Sequence, residues 1–520
     1  MKEGNILNKQ IVGIDFGASN LKVIAYNGRK ERVIKLNKLQ SKGAEIPNVI
    51  YYGKDNEIKI GDRAEKELDN KNKISYIKRK LELKDWKCYI ENINREKNAQ
   101  EIASDIFTLL NNKIKENLSI EKFDSIITMP VCFSEVQKNR IKKAAISAGI
   151  DVKSIITEPF AALFSIEELF EDDGEKIVVI FDFGGSTLDL SLVKIIKDDE
   201  DIEVIELASV GLHYGGMDID KGIYENILYP KYKDIIDKIL SESKQDVITS
   251  KGLSVEFVNF VNMAKSLKEN IFATDIDDDD EMEEQYLDSL GNFYEFGLTK
   301  QEIINMFEKL GLKEKIIEAL DELFENSDEV NKEDVTIVKA FGGSSNIDYF
   351  RNILSDYFGE DIFDSEDWEL EEVYTAIASG ATRYFYAKEL EEEYNFEIHN
   401  VIAFNIGIEE NNRYIKYINR NEFYGFETLY RPLFIKELNK KQYLLSIYQS
   451  FEDIDGVDID DERVIFMGNI KLTKELYSTS DVILFKMKML EDSILKLSFY
   501  EQKENDDIVL IEDQFLSIGG

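Results

Sequence analysis

The chain has 520 residues and a formal net charge of -39 at pH 7, and 43% of its residues are hydrophobic and 32% charged. This balance is typical of a folded protein with more than one domain, and its acidic surface disfavours nucleic acid and anionic membranes as partners, since both repel negative charge. With only two cysteines and two histidines, a disulfide framework, a cysteine metal cluster and a histidine-based catalytic triad are excluded as organising features.

The N-terminal ten residues are polar and lack the apolar core of a signal peptide. No apolar run along the chain approaches the length needed to span a bilayer. We therefore expect a cytoplasmic protein that works without membrane or nucleic acid.

The first predicted element is a hairpin around a small loop. An apolar strand at 11–14 runs into Asp15 and Phe16, and a second strand is predicted at 21–26. The loop between them has the size of a phosphate and small, hydroxyl or amide side chains. Its residues are Gly17, Ala18, Ser19 and Asn20.

Two further candidate residues, Lys78 and Glu158, lie before the middle of the chain. The segment 72–84 is basic and includes Lys78, which in an acidic protein can face a phosphate, although a solvated helix face is the commoner explanation for such a cluster. Glu158 follows a short predicted strand and precedes a predicted helix. At that position its carboxylate can either reach a cleft or cap the helix.

The strongest signal is a second glycine loop at 180–189. A buried strand at 177–180 runs into Asp182 and Phe183, followed by Gly184, Gly185, Ser186 and Thr187. The glycines let backbone N–H groups approach an anion, and a carboxylate beside a phosphate cradle is what a nucleotide–magnesium site needs. One copy alone is equally well explained as an ordinary hairpin, but two Asp-Phe-Gly loops indicate two related lobes that face one anion.

Further glycine turns follow, and beyond them the hydrophobic pattern of the sequence changes. A turn at 211–220 contains Gly215 and Gly216, a helix at 257–272 carries Lys265 and Lys268, and the acidic run 275–284 predicts a solvated loop. A strand at 335–340 enters a further glycine turn with Gly342, Gly343, Ser344 and Asn346. Beyond 394, helical spacing gives way to short alternating segments, which predict a separate all-β domain.

This ordered set of loops resembles the actin-like ATPase superfold, and its details resemble the heat shock protein 70 family. The resemblance implies an α/β fold in which an actin-like ATPase domain (1–394) has two lobes around a nucleotide cleft. An interdomain linker (395–405) and a β-sandwich domain that binds extended polypeptide (406–520) would follow. Few residues remain after the last β segment, so the family's helical lid is expected to be absent.

The resemblance also implies roles for individual residues and cofactors. Asp15 and Asp182 would hold Mg²⁺, largely through water, while Lys78 would face the γ-phosphate of ATP, with Glu158 and Thr187 completing the reacting site. The remaining candidates would contact ATP or ADP: Gly17, Ala18, Ser19, Asn20, Gly184, Gly185, Ser186, Gly215, Gly216, Lys265, Lys268, Gly342, Gly343, Ser344 and Asn346. A J-domain co-chaperone and a nucleotide-exchange factor are candidate partners.

Three departures from the family pattern bear on function. Asn346 replaces the family's adenine-stacking arginine, and the helix at 265–272 has a lysine and a phenylalanine where glutamate and serine are expected. The linker segment 396–404 lacks the family's leucine-rich, aspartate-flanked pattern. These changes affect nucleotide affinity and the coupling between domains.

Three functions are consistent with these patterns. The first is an ATP-dependent, chaperone-like peptide binder with slow hydrolysis, which Lys78, Glu158 and Thr187 favour. The second is a catalytically weak, nucleotide-dependent interaction or scaffold protein, which Asn346 favours. The third is an actin-like filament protein, which the C-terminal β domain disfavours.

Overall fold

The computed structural model describes residues 10–36, 45–67, 69–83, 85–242, 255–274, 276–288, 291–327, 330–363, 370–389, 395–433, 442–473, 482–490, 494–503 and 507–517. These residues form two α/β lobes with a cleft between them, followed by a β domain. Within this part of the chain, no helix combines the length and apolar character needed to cross a bilayer.

The first lobe is built on a six-stranded sheet whose central strand β1 is buried at every position. In this sheet β1 pairs with β2 antiparallel and with β10 parallel. The strands of the first lobe are β1 (Ile11–Phe16), β2 (Asn20–Tyr26), β3 (Glu31–Val33), β4 (Ile46–Pro47), β5 (Val49–Tyr52), β6 (Ile58–Ile60), β7 (Lys73–Ser75), β8 (Lys87–Ile90), β9 (Arg95–Asn98), β10 (Asp124–Met129) and β11 (Asp151–Thr157). Strands β5 to β9 form two smaller sheets, and the others form the six-stranded sheet.

The helices of the first lobe begin at well-defined caps. Asn98 and Ser134 each accept a hydrogen bond from the backbone three residues later, and Glu101 and Gln137 return it, so both of the long helices start with a capping box. The helices are α1 (Asp62–Glu65), α2 (Ile77–Lys80), α3 (Ala99–Leu118), α4 (Glu135–Ser147) and α5 (Glu158–Leu163).

The second lobe repeats the arrangement of the first around a five-stranded sheet. Three consecutive strands pair antiparallel, and a later strand, β17, lies parallel to the first of them, β12. The strands are β12 (Gly174–Phe183), β13 (Leu188–Asp198), β14 (Asp201–Leu212), β15 (Glu281–Leu287), β16 (Phe293–Thr299) and β17 (Ile337–Phe341). The helices are α6 (Gly216–Ile223), α7 (Tyr229–Lys231), α8 (Lys233–Glu242), α9 (Val255–Ala273), α10 (Lys300–Lys309), α11 (Leu312–Glu325), α12 (Asp348–Phe358) and α13 (Leu370–Glu389).

Helix α13 crosses back and joins the two lobes at the base of the cleft. A Cβ built on Gly13 of β1 would lie 2.0 Å from the carbonyl oxygen of Ala378, so only glycine permits this approach. Buried apolar side chains from both sheets and from α5 and α13 share one core, which includes Ile126, Phe160, Ile180 and Tyr384. This shared core fixes the floor of the cleft.

The C-terminal part is an all-β domain of two antiparallel sheets, as the alternation predicted. Its core contains apolar side chains from both sheets. Its strands are β19 (Asn405–Glu410), β20 (Arg413–Ile418), β21 (Arg431–Pro432), β22 (Tyr443–Ser450), β23 (Val457–Asp458), β24 (Ile465–Leu472), β25 (Val482–Leu490), β26 (Ile494–Gln502) and β27 (Ile508–Ser517).

The predicted linker begins with a strand, β18 (Asn395–His399), which pairs parallel with the outer edge of β14. The β domain then contacts both lobes. On the first lobe, the backbone N–H of Glu135 donates to Gln449, and Val131 packs in the β-domain core. On the second lobe, Arg420 lies 2.8 Å from Glu322.

Two sequence predictions need correction. The acidic run 275–284 is not a loop throughout, because β15 begins at Glu281 and pairs with β16. The segment 396–404 was predicted only as a connection, but its first residues extend the sheet of the second lobe. Both strands lie at sheet edges, where exposed polar side chains obscure the alternation that marks a strand.

Candidate nucleotide-binding site

A cavity of about 1150 Å³ lies between the two lobes. Nearly all the residues singled out from the sequence line it, although they come from segments up to 330 residues apart. These are Asp15, Gly17, Ala18, Ser19, Asn20, Lys78, Glu158, Asp182, Gly184, Gly185, Ser186, Thr187, Gly216, Lys265, Lys268, Gly342, Gly343, Ser344 and Asn346. A cavity of this volume is large enough for a small-molecule ligand or cofactor.

The two Asp-Phe-Gly loops face each other across this cavity. Each connects a buried strand to its antiparallel neighbour, the first between β1 and β2 and the second between β12 and β13. A Cβ on Gly185 would lie 2.8 Å from the Ser19 hydroxyl oxygen, so the tips of the loops almost touch. This places both sets of backbone N–H groups around one space.

Two further turns brace the second loop from behind. The backbone N–H of Gly216 and the hydroxyl of Ser344 both donate to the carbonyl oxygen of Gly184, at 3.1 and 3.0 Å. Gly215 is the one candidate that does not line the cavity. It packs on the back of the loop, where a Cβ would lie 2.5 Å from the backbone nitrogen of Ser186.

Lys78 and Glu158 form a buried ion pair at the floor of the cavity. The Nζ of Lys78 lies 2.5 Å from Oε1 of Glu158, and the lysine side chain is 1% exposed and also lies over the ring of Phe133. Lys78 is therefore buried and does not lie on a solvent-exposed helix face. Glu158 is the first residue of α5, and it directs its carboxylate to the lysine.

Buried carboxylates surround this pair. Burial raises the pKa of Glu158, against the opposing effect of Lys78, and burial together with neighbouring carboxylates raises the pKa of Asp182 well above its usual range. Asp189 is held by the backbone N–H of Val131 at 2.7 Å, and burial raises its pKa as well. Such pKa shifts in a cleft are typical of a reacting site.

The carboxylates of the cavity provide some of the oxygen ligands that a Mg²⁺ site needs. Oδ1 of Asp182 is buried and has no hydrogen-bond partner among the described residues, and carboxylate oxygens are the ligands that Mg²⁺ prefers. Within the described ranges, no three acidic, histidine or cysteine side chains converge on one point. The residues therefore fit an ion that takes one or two carboxylates and fills its remaining positions with water and phosphate.

A model of the Hsp70 protein family matches residues 11–453 of the chain, which includes both lobes, the linker and part of the β domain. The chain belongs to the Hsp70 family. The predicted fold, an actin-like pair of lobes followed by a β-sandwich, is thereby confirmed.

Curated relatives of this Hsp70-family chain carry the name chaperone protein DnaK. The protein from Ureaplasma parvum is 32% identical over 237 residues, which is 45% of this chain and 37% of the relative. The protein from Thermoplasma volcanium is 27% identical over 354 residues, or 67% of this chain and 54% of the relative. The protein from Thermosipho melanesiensis is 34% identical over 238 residues, or 45% and 38%. The matched part thus spans between about a third and about half the length of these relatives.

Sequence analysis missed Lys22, which lies in the cavity of this Hsp70-family chain beside Asp15. The two residues are direct partners across β1 and β2, and the lysine Nζ lies 3.3 Å from Oδ2 of Asp15. The register of the hairpin formed by β1 and β2 is enough to predict that Lys22 lies beside Asp15. Pairing Phe16 with Leu21 around a four-residue turn sets Asp15 opposite Lys22, on the same face of the sheet.

Two lysines of α9 lie at the far end of the cavity. Lys268 lines the cavity, as predicted for a residue beside the nucleoside, and its Nζ lies 2.6 Å from Asp220. Lys265 lies more loosely, 3.7 Å from Glu269, and Phe272 of the same helix also lines the wall. An aromatic ring and a lysine pair therefore shape this end of the cavity.

Arg351 lines the same end, and its role was not anticipated. It lies in the first turn of α12, shortly after Asn346 in the chain. Its Nε is buried and has no hydrogen-bond partner in the described part of the chain, and its terminal nitrogen lies 3.7 Å from Asp348. Ile347, the N-cap residue of α12, also lines the cavity.

Arg79 connects the lobes across the cleft. Its guanidinium donates to both carboxylate oxygens of Asp218, which lies in the first turn of α6, and to the carbonyl oxygen of Ser186 in the second loop. The bidentate geometry is typical of a strong ion pair. It joins α2 of the first lobe to the phosphate loop of the second.

Proposed function

We propose that this chain binds ATP and ADP with Mg²⁺ in the cleft, hydrolyses ATP slowly, and uses the nucleotide to control the binding of extended polypeptide by its β domain. The observation that carries the proposal is the buried pair of Lys78 and Glu158 below two facing Asp-Phe-Gly loops. A lysine fixed at the end of a phosphate cradle is suited to phosphoryl transfer, which depends on positioning and charge stabilisation.

Each residue has a distinct part in the proposed reaction. Backbone N–H groups of the two loops hold the phosphates, and Lys78 stabilises the charge that develops on the transferred phosphoryl group. Glu158 fixes the direction of the lysine ammonium. Asp182, with Asp15, holds Mg²⁺, which when bound neutralises phosphate charge.

The polypeptide part of the proposal rests on the β domain. Exposed apolar side chains cluster along one segment of it: Phe423, Phe426, Leu429 and Tyr430. Since β18 extends the sheet that carries the second phosphate loop, a change in the cleft has a continuous path to this domain. A J-domain co-chaperone and a nucleotide-exchange factor are the partners that such a cycle would use.

A single-turnover measurement of phosphate release tests the proposal. With the full chain in excess over ATP, we expect slow release that depends on Mg²⁺ and saturates with protein concentration. A chain that binds ADP but releases no phosphate above the buffer blank would support the second candidate, a catalytically weak nucleotide-dependent interaction protein. The replacement of the family arginine by Asn346 is the observation that favours that candidate.

We predict that Arg351→Ala weakens ADP binding by about two- to thirtyfold, because a guanidinium over an aromatic ring contributes about 0.5–2 kcal/mol. Calorimetric titration measures the affinity. Asn346→Arg should add little in the wild-type background and restore binding in the Arg351→Ala background. If Arg351→Ala has no effect while Asn346→Arg tightens binding, Arg351 is not the residue that contacts the base.

We predict that Arg79→Met speeds ADP release by about fivefold, because the lost ion pair between the lobes contributes on the order of 1 kcal/mol at its partly exposed site. Stopped-flow displacement of a fluorescent ADP analogue measures the rate. Arg95→Met, which removes an exposed pair with Glu101 at 2.6 Å, is the matched control. An unchanged release rate in Arg79→Met would show that the lobes stay closed without this bond.

A further inference from the structure

The cavity contains a lysine that the proposed reaction does not use. Lys22 is 14% exposed, and its ammonium lies 3.3 Å from Oδ2 of Asp15, one of the two carboxylates proposed to face Mg²⁺. Asp182 and Glu45 are the other acidic groups whose charges act on it. The ammonium of Lys22 therefore lies in the part of the cavity where Mg²⁺ is proposed to bind.

Two other lysines of the cavity lie closer to a carboxylate partner than Lys22 does. Lys78 and Lys268 lie 2.5 and 2.6 Å from Glu158 and Asp220, whereas the contact of Lys22 with Asp15 is longer. Lys22 extends from β2 immediately after the first phosphate loop, and both the loop and the lysine line the cavity. The ammonium of Lys22 therefore lies beside Asp15 in the same cavity as the loop that is proposed to hold the phosphates.

We propose that Lys22 is a protein-borne counter-cation for the nucleotide phosphates, which lowers the dependence of nucleotide binding on Mg²⁺. The inference rests on the proposed nucleotide site. A charge in a partly buried cavity is screened far less than one on the surface, so one ammonium beside the phosphates offsets much of the repulsion between them and the nearby carboxylates. Asp182, whose Oδ1 has no hydrogen-bond partner among the described residues, stays available for the metal.

Calorimetric titration of ADP into the full chain, with Mg²⁺ and with EDTA, tests this role through binding alone. We expect wild type to lose less than about tenfold in affinity when Mg²⁺ is removed, and Lys22→Met to lose at least about tenfold more than wild type, since one close charge pair in a cleft is worth more than a factor of ten. Lys22→Arg keeps the charge and should behave like wild type. Lys59→Met removes a lysine that is ion-paired with Glu67 at 2.7 Å outside the cavity, and it should leave the Mg²⁺ dependence unchanged.

The outcomes separate this inference from the proposed function. If ADP binds but wild type and Lys22→Met lose the same factor in EDTA, the role of Lys22 is overturned and the nucleotide site stands. If wild type binds no ADP under either condition, both are overturned. Thermal unfolding checks that each variant folds, and Lys22→Gln, which can still donate a hydrogen bond to Asp15, replaces Lys22→Met if the latter does not.

Discussion

Lys78→Met should lower the rate of ATP hydrolysis by about one to two orders of magnitude while ADP affinity changes little. Losing one positioned charge that acts on the transition state commonly costs on the order of 3 kcal/mol of activation free energy. Methionine keeps the apolar stem that packs beside Phe133 and removes only the ammonium. Single-turnover phosphate release and calorimetric titration measure the two quantities.

The control for this experiment is Lys113→Met, which removes a lysine from an exposed pair on α3. It should leave both quantities unchanged. Equal turnover in Lys78→Met and wild type would remove Lys78 from the mechanism, and a parallel loss of turnover and ADP affinity would make it a binding residue only.

Stability separates the chemical role of Lys78 from its structural one. Removing one partner of a buried ion pair commonly costs about 3–5 kcal/mol, because the other charge stays buried alone. Burial raises the pKa of Glu158. In Lys78→Met this carboxylate can therefore take up a proton, which removes the unpaired charge and part of the cost. The double variant Lys78→Met with Glu158→Gln should therefore recover thermal stability without recovering turnover.

Glu206→Gln should stabilise the chain at pH 8 and have a much smaller effect at pH 5. Glu206 is buried where the linker crosses the second lobe, and it accepts hydrogen bonds from the Ser191 hydroxyl and from the backbone N–H of Val401. Burial raises the pKa of its carboxyl group from 4.5 to about 7. A glutamine can accept from Val401 and donate to Ser191 without carrying a charge.

The direction of the pH dependence follows from proton binding. Between pH 4.5 and about 7 the folded chain holds a proton on Glu206 that the unfolded chain has lost, so the contribution of this group is fully present below pH 4.5 and is lost as the pH rises through about 7. The loss amounts to at most about 3 kcal/mol, because each pH unit in this window corresponds to 1.36 kcal/mol. The glutamine variant does not ionise and keeps its stability across the window.

Differential scanning calorimetry at pH 5 and pH 8 measures this difference, and hydrogen exchange at Val401 reports whether the linker strand opens first. Glu203→Gln, at an exposed position on the same strand, is the matched control. If Glu206→Gln raises the melting temperature equally at both pH values, the gain does not come from ionisation of Glu206.

The sequence predicted the two Asp-Phe-Gly loops because each depends on local chemistry. An apolar strand, an aspartate and two small residues are adjacent in the chain, and the loop forms wherever the hairpin forms. Lys78 and Glu158 were also recognisable, but only through the family resemblance, since 80 residues separate them and nothing local pairs them. Their burial and the distance between them required the fold.

The residues that the sequence did not reveal depend on the register of a hairpin, on the first residue of a helix or on long-range packing. Lys22 follows from the hairpin register, but its meaning depends on the cavity on that face of the sheet. Arg351 enters the cavity because α12 begins at Asp348, a start that the sequence places only approximately. The contact of Glu135 with Gln449 joins residues 314 apart, and no local pattern predicts it.

The most direct test of the nucleotide site is a calorimetric titration of ADP, with GDP as comparator, into the full chain in the presence of Mg²⁺. We predict saturable binding of one ADP per chain, which is lost in Gly216→Leu, because even an added Cβ at this position of the cavity wall would lie 2.9 Å from the Ser344 hydroxyl oxygen. No saturable binding of either nucleotide to the folded wild-type chain, or binding that Gly216→Leu leaves unchanged, would contradict the assignment of the cleft.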